Sequence, residues 1–361
     1  MTLFEILDIA IKKGATDVHL SNGLPPTFRI RRNLEMQEDL EIMTEEMLEV
    51  MTENLLNNEE DRVNIYKTEK KLDISLGYEN YKFRINISIS KGVPTYAIRL
   101  IDNSPINLQE THIQNIVDQM KKYQRGIILI TGRVNSGKST TMNAFIQEVN
   151  KNENKKIVTF EDPIEYEHNS DKSIVLQKEV GAHKDVPTFY EGLINILRED
   201  SDIVVVGEIR DRETMDVVFD LAESGQLVIG TLHTKSSAET IDRIISMYSP
   251  QEQIAIKYLL SSTLRIVCTQ RLVKDLNGDV MIVPEVMVVD NVIGALIRKD
   301  KFVISEIEDA LHSGADKGCI SIEYALAELY NNKKITLATI KDTVDKDKFE
   351  KIKEIIVRTA H

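Results

Sequence analysis

The residues of this chain with the clearest capacity for chemistry form the run GRVNSGKST, residues 132–140. The run matches the pattern G-x-x-x-x-G-K-[ST], and it lies between a predicted buried strand (126–131) and a helix predicted to begin at Ser139. In that setting backbone N–H groups and the helix N-terminus face phosphates, Lys138 reaches the terminal phosphates, and the Ser139 hydroxyl ligates Mg²⁺. The run therefore predicts ATP binding by nine consecutive residues: Gly132, Arg133, Val134, Asn135, Ser136, Gly137, Lys138, Ser139 and Thr140.

Other polar residues follow further predicted strands. Glu208 follows DIVVVG, while Glu161, Asp162 and Glu165 follow VTF, and His233 follows LVIGTL. Ligands of open parallel sheets bind at the carboxyl edge of the strands. Glu208 could therefore hold Mg²⁺ through water or orient the attacking water, and one of the other three acids could polarise that water. His233 could sense the γ-phosphate or bridge subunits, although a lone histidine is more often structural.

The elements that must position these residues indicate an α/β fold. Continuous apolar runs such as GIILIT and DIVVVGE alternate with helical patterns, which is typical of a parallel sheet buried on both faces. The first hundred residues instead mix helices with alternating strands. We expect an N-terminal domain over residues 1–105, a linker over 106–114, and an ATPase domain with a helical C-terminal region over 115–361.

Composition narrows the class of protein. The formal net charge of −13 argues against a duplex nucleic-acid binder, so no nucleic-acid partner is expected. The only two cysteines, Cys268 and Cys319, lie far apart and suggest reduced core thiols in a reducing compartment. The N-terminus does not resemble a signal peptide, and no apolar run has the length of a membrane span. We expect a soluble intracellular protein that could dock on a membrane complex.

Two arginines of the N-terminal domain face each other if the predicted hairpin YKFRINISIS–TYAIRLI turns at Lys91-Gly92. In that register Arg84 and Arg99 lie opposite each other on the polar face, and directly opposed like charges are unfavourable. An anion between them would turn the repulsion into attraction. The alternative is a slipped register with two solvated arginines, since Pro94 could lengthen the turn.

Four stretches together resemble a known family. GRVNSGKSTT, FEDPIEYEH, LREDSDIVVVGEIRD and AESGQLVIGTLHTKSSAETIDRII are similar, in order and spacing, to the phosphate loop, Asp box, modified Walker B and His box of the secretion ATPase superfamily. The opening GATDVHLSNGLPPTFRI resembles the type IV pilus retraction ATPases, the PilT group. The resemblance extends over nearly the whole chain.

This resemblance implies a PAS-like N-terminal domain, a RecA-like P-loop ATPase domain and a homohexameric ring. It also implies force generation on a pilus, which underlies twitching motility, through an inner-membrane platform protein. The location would then be cytoplasmic and peripheral at the inner face of the membrane. Glu165 corresponds to the catalytic Asp-box glutamate, Glu208 to the Walker B glutamate and His233 to the second His-box histidine. Arg84 and Arg99 would reach the nucleotide as arginine fingers do.

Several positions depart from the family pattern. The loop has Arg133, Val134 and Asn135 in place of the usual Pro-Thr-Gly, and we expect Asn135 to tolerate a positive φ. The first His-box histidine is replaced by Gln226. The retraction group's AIRNLIR motif appears as VIGALIR, residues 292–298, which weakens the retraction assignment more than the assignment of ATP hydrolysis.

Three other functions remain open. A pilus-extension or type II secretion ATPase is disfavoured because the tetracysteine zinc module usual in those relatives is missing. A nucleotide-responsive scaffold with little turnover is disfavoured by the intact glutamates. A DNA-translocating motor is disfavoured by the acidic balance of the chain.

Overall fold

The computed structural model describes residues 1–359 except 31, 32, 58, 79, 103, 105, 109–112 and 183, and it does not describe the side chains of residues 61 and 359. The chain divides into two compact units, Met1–Ser104 and Pro105–His361. Of the expected linker, residues 109–112 lie outside the described residues. Ile106 and Leu108, from the same stretch, pack against the hydrophobic core of the second unit.

The first unit is a six-stranded antiparallel sheet in the order β3-β2-β1-β6-β5-β4, accompanied by three helices. Its elements are α1 (Leu3–Lys12), β1 (Ala15–Leu20), β2 (Thr27–Ile30), β3 (Asn33–Met36), α2 (Glu45–Leu56), α3 (Glu60–Glu69), β4 (Lys71–Tyr78), β5 (Tyr81–Ser90) and β6 (Val93–Asp102). The long strands alternate apolar and polar residues, so one face of the sheet builds a core around Phe28, Phe83 and Ile85 while the other face stays polar.

The second unit is a seven-stranded sheet in the order β13-β12-β7-β11-β10-β8-β9. Its pairs are parallel except β12–β13, which is antiparallel. Its strands are β7 (Gly126–Gly132), β8 (Lys156–Glu161), β9 (Ile174–Glu179), β10 (Ile203–Val206), β11 (Leu227–Leu232), β12 (Leu264–Lys274) and β13 (Val280–Val288). The three central strands β7, β10 and β11 are buried along their whole length, which explains their uninterrupted apolar sequences.

The helices of the second unit alternate with its strands in the sequence and continue beyond the last strand, β13. They are α4 (Gln114–Met120), α5 (Lys138–Asn152), α6 (Phe189–Ile196), α7 (Arg212–Glu223), α8 (Ser237–Ile245), α9 (Gln253–Thr263), α10 (Asn291–Ile297), α11 (Ile304–Ser313), α12 (Ile322–Asn331), α13 (Leu337–Thr343) and α14 (Lys346–Thr359). A smaller apolar cluster joins α12, α13 and α14 to β12 and β13. Among the residues described, no helix has the length and apolar composition to cross a bilayer.

Candidate functional site

The sheet order of the second unit brings the predicted chemical residues to one edge. β7 runs directly into the phosphate loop, β8 ends at Glu161, β10 is followed by Gly207 and Glu208, and β11 is followed by His233. These four strands are parallel and adjacent in the order β7-β11-β10-β8. Their carboxyl ends therefore form a continuous crevice of the kind in which α/β proteins bind ligands.

The phosphate loop is tightly curled, and two of its glycines are required by space. A Cβ on Gly132 would lie 2.5 Å from Ser136 Oγ and 2.6 Å from the carbonyl oxygen of Gln270, while one on Gly137 would lie 2.8 Å from a methyl of Ile282. Asn135 has φ +60°, so the expected left-handed conformation is confirmed. Asn135 thus adopts a left-handed conformation at the position where the family pattern has glycine.

Lys138 is the first residue of α5, and its ammonium group lies inside the curve of the loop. Nζ donates to the carbonyl oxygens of Gly132 and Arg133, each at 3.1 Å, and lies 3.3 Å from Nδ1 of His233. Burial lowers the pKa of Lys138, and the charges of Glu208 and Glu165 oppose that shift. The cation is therefore held where the terminal phosphates of a nucleotide on this loop would need it.

His233 connects the lysine to Glu208. Its Nε2 lies 3.1 Å from Oε1 of Glu208. Because an ammonium group can only donate, Nδ1 must accept from Lys138, which leaves the hydrogen on Nε2 to be donated to the carboxylate. Glu208 also accepts from Arg210 at 2.7 Å. The sheet edge thus carries a connected chain: Lys138, His233, Glu208, Arg210.

The environment of Glu208 favours its ionised form. Burial acts to raise the pKa of this carboxyl, but the hydrogen bond and charge of Arg210, the neighbouring His233 and the charge of Lys138 outweigh it, so the pKa lies below its ordinary value. A carboxylate of lowered pKa is a weak base and a good partner for cations. Glu208 is therefore better suited to orienting groups and holding a cation than to taking a proton.

The three acids at the end of β8 and just beyond it have different environments. Glu161 is buried, and its Oε1 accepts from Thr159 at 2.6 Å and from Gln177 at 3.1 Å. The Asp162-Pro163 bond is cis. Glu165 lies in the irregular segment beyond it, half-buried and near enough to influence Lys138 electrostatically. Glu161 is thus committed to the scaffold, whereas the charge of Glu165 acts on Lys138.

The oxygen donors of the site fit Mg²⁺. Ser139 offers a hydroxyl and Glu208 a carboxylate, and Mg²⁺ prefers oxygen ligands while keeping waters and substrate phosphates as its others. In the described part of the chain, no group of three or more His, Cys, Asp or Glu residues could hold a metal by itself. A site with few protein ligands is the kind in which Mg²⁺ binds together with a nucleotide.

The two arginines belong to the first unit. Arg84 and Arg99 are direct partners in the β5–β6 pairing, and Ser90 pairs with Val93 across the turn, so the expected register is confirmed. Both side chains are exposed. On the far side of Arg99 the sheet places Asp17, whose carboxylate lies 3.7 Å from Arg29. The polar face therefore carries three arginines and one aspartate in a single row across four strands.

Sequence reasoning missed the residues that hold the site in place. Arg210 pairs with Glu208, Gln177 binds the segment after β8, and Asn143 accepts a hydrogen bond from His168 Nε2 at 2.7 Å. Burial lowers the pKa of His168 to about 4, so this imidazole is neutral near pH 7. Arg210, two residues from Glu208, and His168, the last residue of FEDPIEYEH, lie within stretches that the sequence had already singled out, whereas Gln177 and Asn143 left no local signal.

Two departures from the family pattern lie away from this edge. Gln226 precedes β11, so the length of that strand, about 20 Å at 3.3 Å per residue, separates it from His233. Within the described residues its side-chain oxygen is buried without a hydrogen-bond partner. The VIGALIR segment forms α10, and its Arg298 donates to Ser261 Oγ at 3.0 Å.

Comparison with known proteins shows the family to which this chain belongs. The family model described as "Type II/IV secretion system protein" matches residues 2–320. The chain belongs to that family. It is 33% identical over 332 residues to the type IV pilus retraction ATPase PilT of Pseudomonas aeruginosa, covering 91% of this chain and 94% of that one. It is 34% identical over 267 residues to a twitching motility protein of Neisseria gonorrhoeae, covering 73% and 70%.

A solved structure shares the fold. The crystal structure of the pilus retraction motor PilT with bound ADP superposes with a TM-score of 0.87 at 31% identity, covering 97% of this chain and 99% of that one. The resemblance to the secretion ATPases is thereby confirmed, together with the α/β fold and the assignment as a nucleotide-using ATPase.

Proposed function

We propose that this protein is a Mg²⁺-dependent hexameric motor that hydrolyses ATP to power type IV pilus retraction, and hence twitching motility. The observation that carries the proposal is the chain of contacts from Lys138 through His233 to Glu208 at the mouth of the phosphate loop. The similarity to a pilus retraction ATPase over nearly the full length of both chains supports pilus retraction as the mechanical work that ATP hydrolysis drives.

In this proposal each part of the chemistry is assigned to particular residues of the chain. Amides of residues 132–140 and the ammonium of Lys138 bind the phosphates of ATP, and His233 contacts the terminal phosphate. Ser139 and Glu208 would hold Mg²⁺, which when bound neutralises charge on the phosphate oxygens. Glu165 takes the proton from the attacking water, because Glu208 is already paired with Arg210 and His233 and is held in its ionised form.

We further propose that Arg84 and Arg99 bind the nucleotide phosphates as arginine fingers. The direct opposition of their positive charges supports this, because an anion between them would relieve a repulsion of about 0.2–1 kcal/mol. Closing and releasing the arginines in each ATP cycle would move the N-terminal domain, defined as residues 1–105, relative to the ATPase domain, residues 115–361. An inner-membrane platform protein would receive that motion, with the motor peripheral at the cytoplasmic face.

The test compares ATP turnover of the purified chain with that of Glu208→Gln, with oligomer mass recorded in the same buffer. We expect a hexamer whose Mg²⁺-dependent turnover falls about 100- to 1,000-fold in the variant, as when a transition-state contact is lost. Glu223→Gln, at the exposed end of α7, is the matched control and should keep full turnover. Tight ATP binding without turnover in any of the three proteins would support the scaffold function instead.

The phenotype of a deletion strain then shows whether the motor retracts or extends pili. Cells lacking a retraction motor should carry surface pili and fail to twitch, whereas cells lacking an extension motor should have no pili. Complementation with the wild-type chain, but not with Glu208→Gln, should restore twitching. Loss of pili on deletion would reject retraction while leaving the ATPase assignment intact.

A further inference from the structure

We propose that Gln177 and His168 are positioning residues that hold Glu165 at the distance from the nucleotide that water activation requires. The inference rests on the proposed role of Glu165 and names the groups through which the fold would enforce it.

The segment that carries Glu165 has no regular structure of its own. Residues 162–173, between β8 and β9, form neither helix nor strand. A catalytic carboxylate must nevertheless be fixed closely, since a displacement of about 1 Å can cost about 100-fold in rate. Side-chain contacts must therefore supply the rigidity that backbone pairing supplies elsewhere.

Gln177, on strand β9, binds this segment at two points and the end of β8 at a third. Its Nε2 donates to the carbonyl oxygen of Tyr166 at 2.8 Å and to Oε1 of Glu161 at 3.1 Å, and its Oε1 accepts from the backbone N–H of His168 at 2.8 Å. One amide thus joins the end of β8 to the residues just beyond Glu165. All three contacts use the amide in a single orientation, because the oxygen must face the His168 N–H.

His168 attaches the same segment to the helix that carries the phosphate loop. Its Nε2 lies 2.7 Å from Oδ1 of Asn143, and Nδ2 of Asn143 donates to the carbonyl oxygen of Ser139 at 2.9 Å. Because the Asn143 oxygen can only accept, the imidazole donates from Nε2. The segment is therefore tied on one side to β9 and on the other to the first turn of α5.

The residues that Gln177 binds lie on both sides of Glu165 in the sequence. Gln177 binds Glu161, which lies before Glu165, and Tyr166 and His168, which lie after it. His168 adds a second contact after Glu165, with Asn143. Gln177 contacts no residue of the phosphate loop in its three hydrogen bonds. Releasing this glutamine should therefore slow hydrolysis without weakening ATP binding.

The test is Gln177→Met, which keeps the length of the side chain and removes its three hydrogen bonds. We expect kcat to fall about 10- to 100-fold while KM and the Kd for a fluorescent ATP analogue stay within about twofold. Gln119→Met is the matched control, because Gln119 is also half-buried and donates to a backbone carbonyl, that of Gly318 at 3.2 Å. This control should keep full turnover.

Two substitutions of His168 distinguish a positioning role from a purely structural one, because one of them should restore activity. His168→Ala should lower kcat, whereas His168→Gln can still donate an N–H to Asn143 and should restore most of the activity. Equal losses in both variants, with equal losses of thermal stability and of nucleotide affinity, would contradict a positioning role.

Combination with Glu165→Gln separates this inference from the proposed function. If Gln177 acts through Glu165, Gln177→Met should cause no further loss in the Glu165→Gln background. Multiplied losses would mean that Gln177 acts independently, which overturns the inference and leaves the role of Glu165 standing. Full turnover by Glu165→Gln alone would instead refute that role.

Should Gln177→Met fail to fold, Gln177→Glu provides the second variant. It is isosteric, keeps the acceptor for the His168 N–H, and sets a carboxylate against Glu161 in place of a donor. A folded Gln177→Glu protein with normal ATP affinity and lowered kcat supports the inference. Failure of both variants to fold would show that Gln177 is structural and would reject it.

Discussion

Gly192, the fourth residue of α6, lies against the ring of Phe160. A Cβ added there would lie 2.6 Å from Cε1 and 2.7 Å from Cδ1 of that ring, and 3.2 Å from a methyl of Val186. Phe160 is fully buried and belongs to β8, so it has little room to withdraw. We expect Gly192→Ala to destabilise the second unit through overpacking.

The expected change in the free energy of unfolding is the sum of two opposing contributions. Overpacking a close-packed core costs about 1–3 kcal/mol. Alanine is favoured over glycine inside a helix by about 1 kcal/mol. The net loss should therefore be about 0–2 kcal/mol, or up to about 8 °C in Tm at roughly 2–4 °C per kcal/mol for a unit of this size.

Gly294→Ala is a control variant, because it has the same gain from alanine in a helix but no overpacking. Gly294 is the fourth residue of α10, and a Cβ there would meet nothing closer than Arg298 Nη1 at 3.5 Å. Gly294→Ala should therefore gain up to about 1 kcal/mol. The difference between the two variants isolates the overpacking cost, about 1–3 kcal/mol.

Differential scanning calorimetry of the three proteins at one concentration and pH would measure this difference. The transition of the second unit should shift down in Gly192→Ala and up in Gly294→Ala, while the transition of the first unit stays fixed. Equal Tm values for the two variants would mean that the Phe160 ring moves aside without cost, and the packing argument would be refuted.

Three further predictions concern charged residues. Arg84→Ala and Arg99→Ala should each lower ATP turnover, and full turnover in either variant would refute the arginine-finger role. Arg84→Ala should leave the first unit as stable or up to about 1 kcal/mol more stable, since it removes only the like-charge pair, whereas Arg99→Ala also removes the pairing of Arg99 with Asp17. Burial raises the pKa of Glu285 above 4.5, so the stability it contributes is present below about pH 4.5 and is lost as pH rises through the raised value. Glu285→Gln should flatten that loss in urea titrations run upward from about pH 4.5, and an unchanged pH slope would contradict it. Asp290→Ala should cost the second unit about 1 kcal/mol in the same titration, because Asp290 caps α10 by accepting from two backbone N–H groups; a loss below about 0.3 kcal/mol would count against the cap.

Local patterns were sufficient to predict much of the fold. The continuous apolar runs identified the parallel strands β7 and β10, because a strand buried on both faces cannot alternate. Strict alternation in β5 and β6, with a turn at Lys91-Gly92, gave a register that the structure confirms residue by residue. In both cases the chemistry that forms the element lies within the element itself.

The candidate site was predictable only where residue type reveals the chemistry. A lysine after a glycine-rich turn, an acid at a strand end and a histidine at the next strand end identified Lys138, Glu208 and His233, and the sheet brings them into contact. The ion pair of Glu208 with Arg210 was not foreseen, because either residue could equally have been solvated at this exposed edge.

The residues that hold the site were not predictable for a physical reason. His168 binds Asn143, 25 residues away, and Gln177 binds Glu161 and Tyr166, 16 and 11 residues away, so their partners depend on how β8, β9 and α5 come together. A residue that binds phosphate or a proton must have a particular functional group, whereas one that fixes a loop needs only a donor or acceptor of suitable reach. The attachment through Gln177, which lies outside the four motifs, can therefore change in sequence while the motifs stay the same, and such a change would alter the rate of hydrolysis before it altered nucleotide binding.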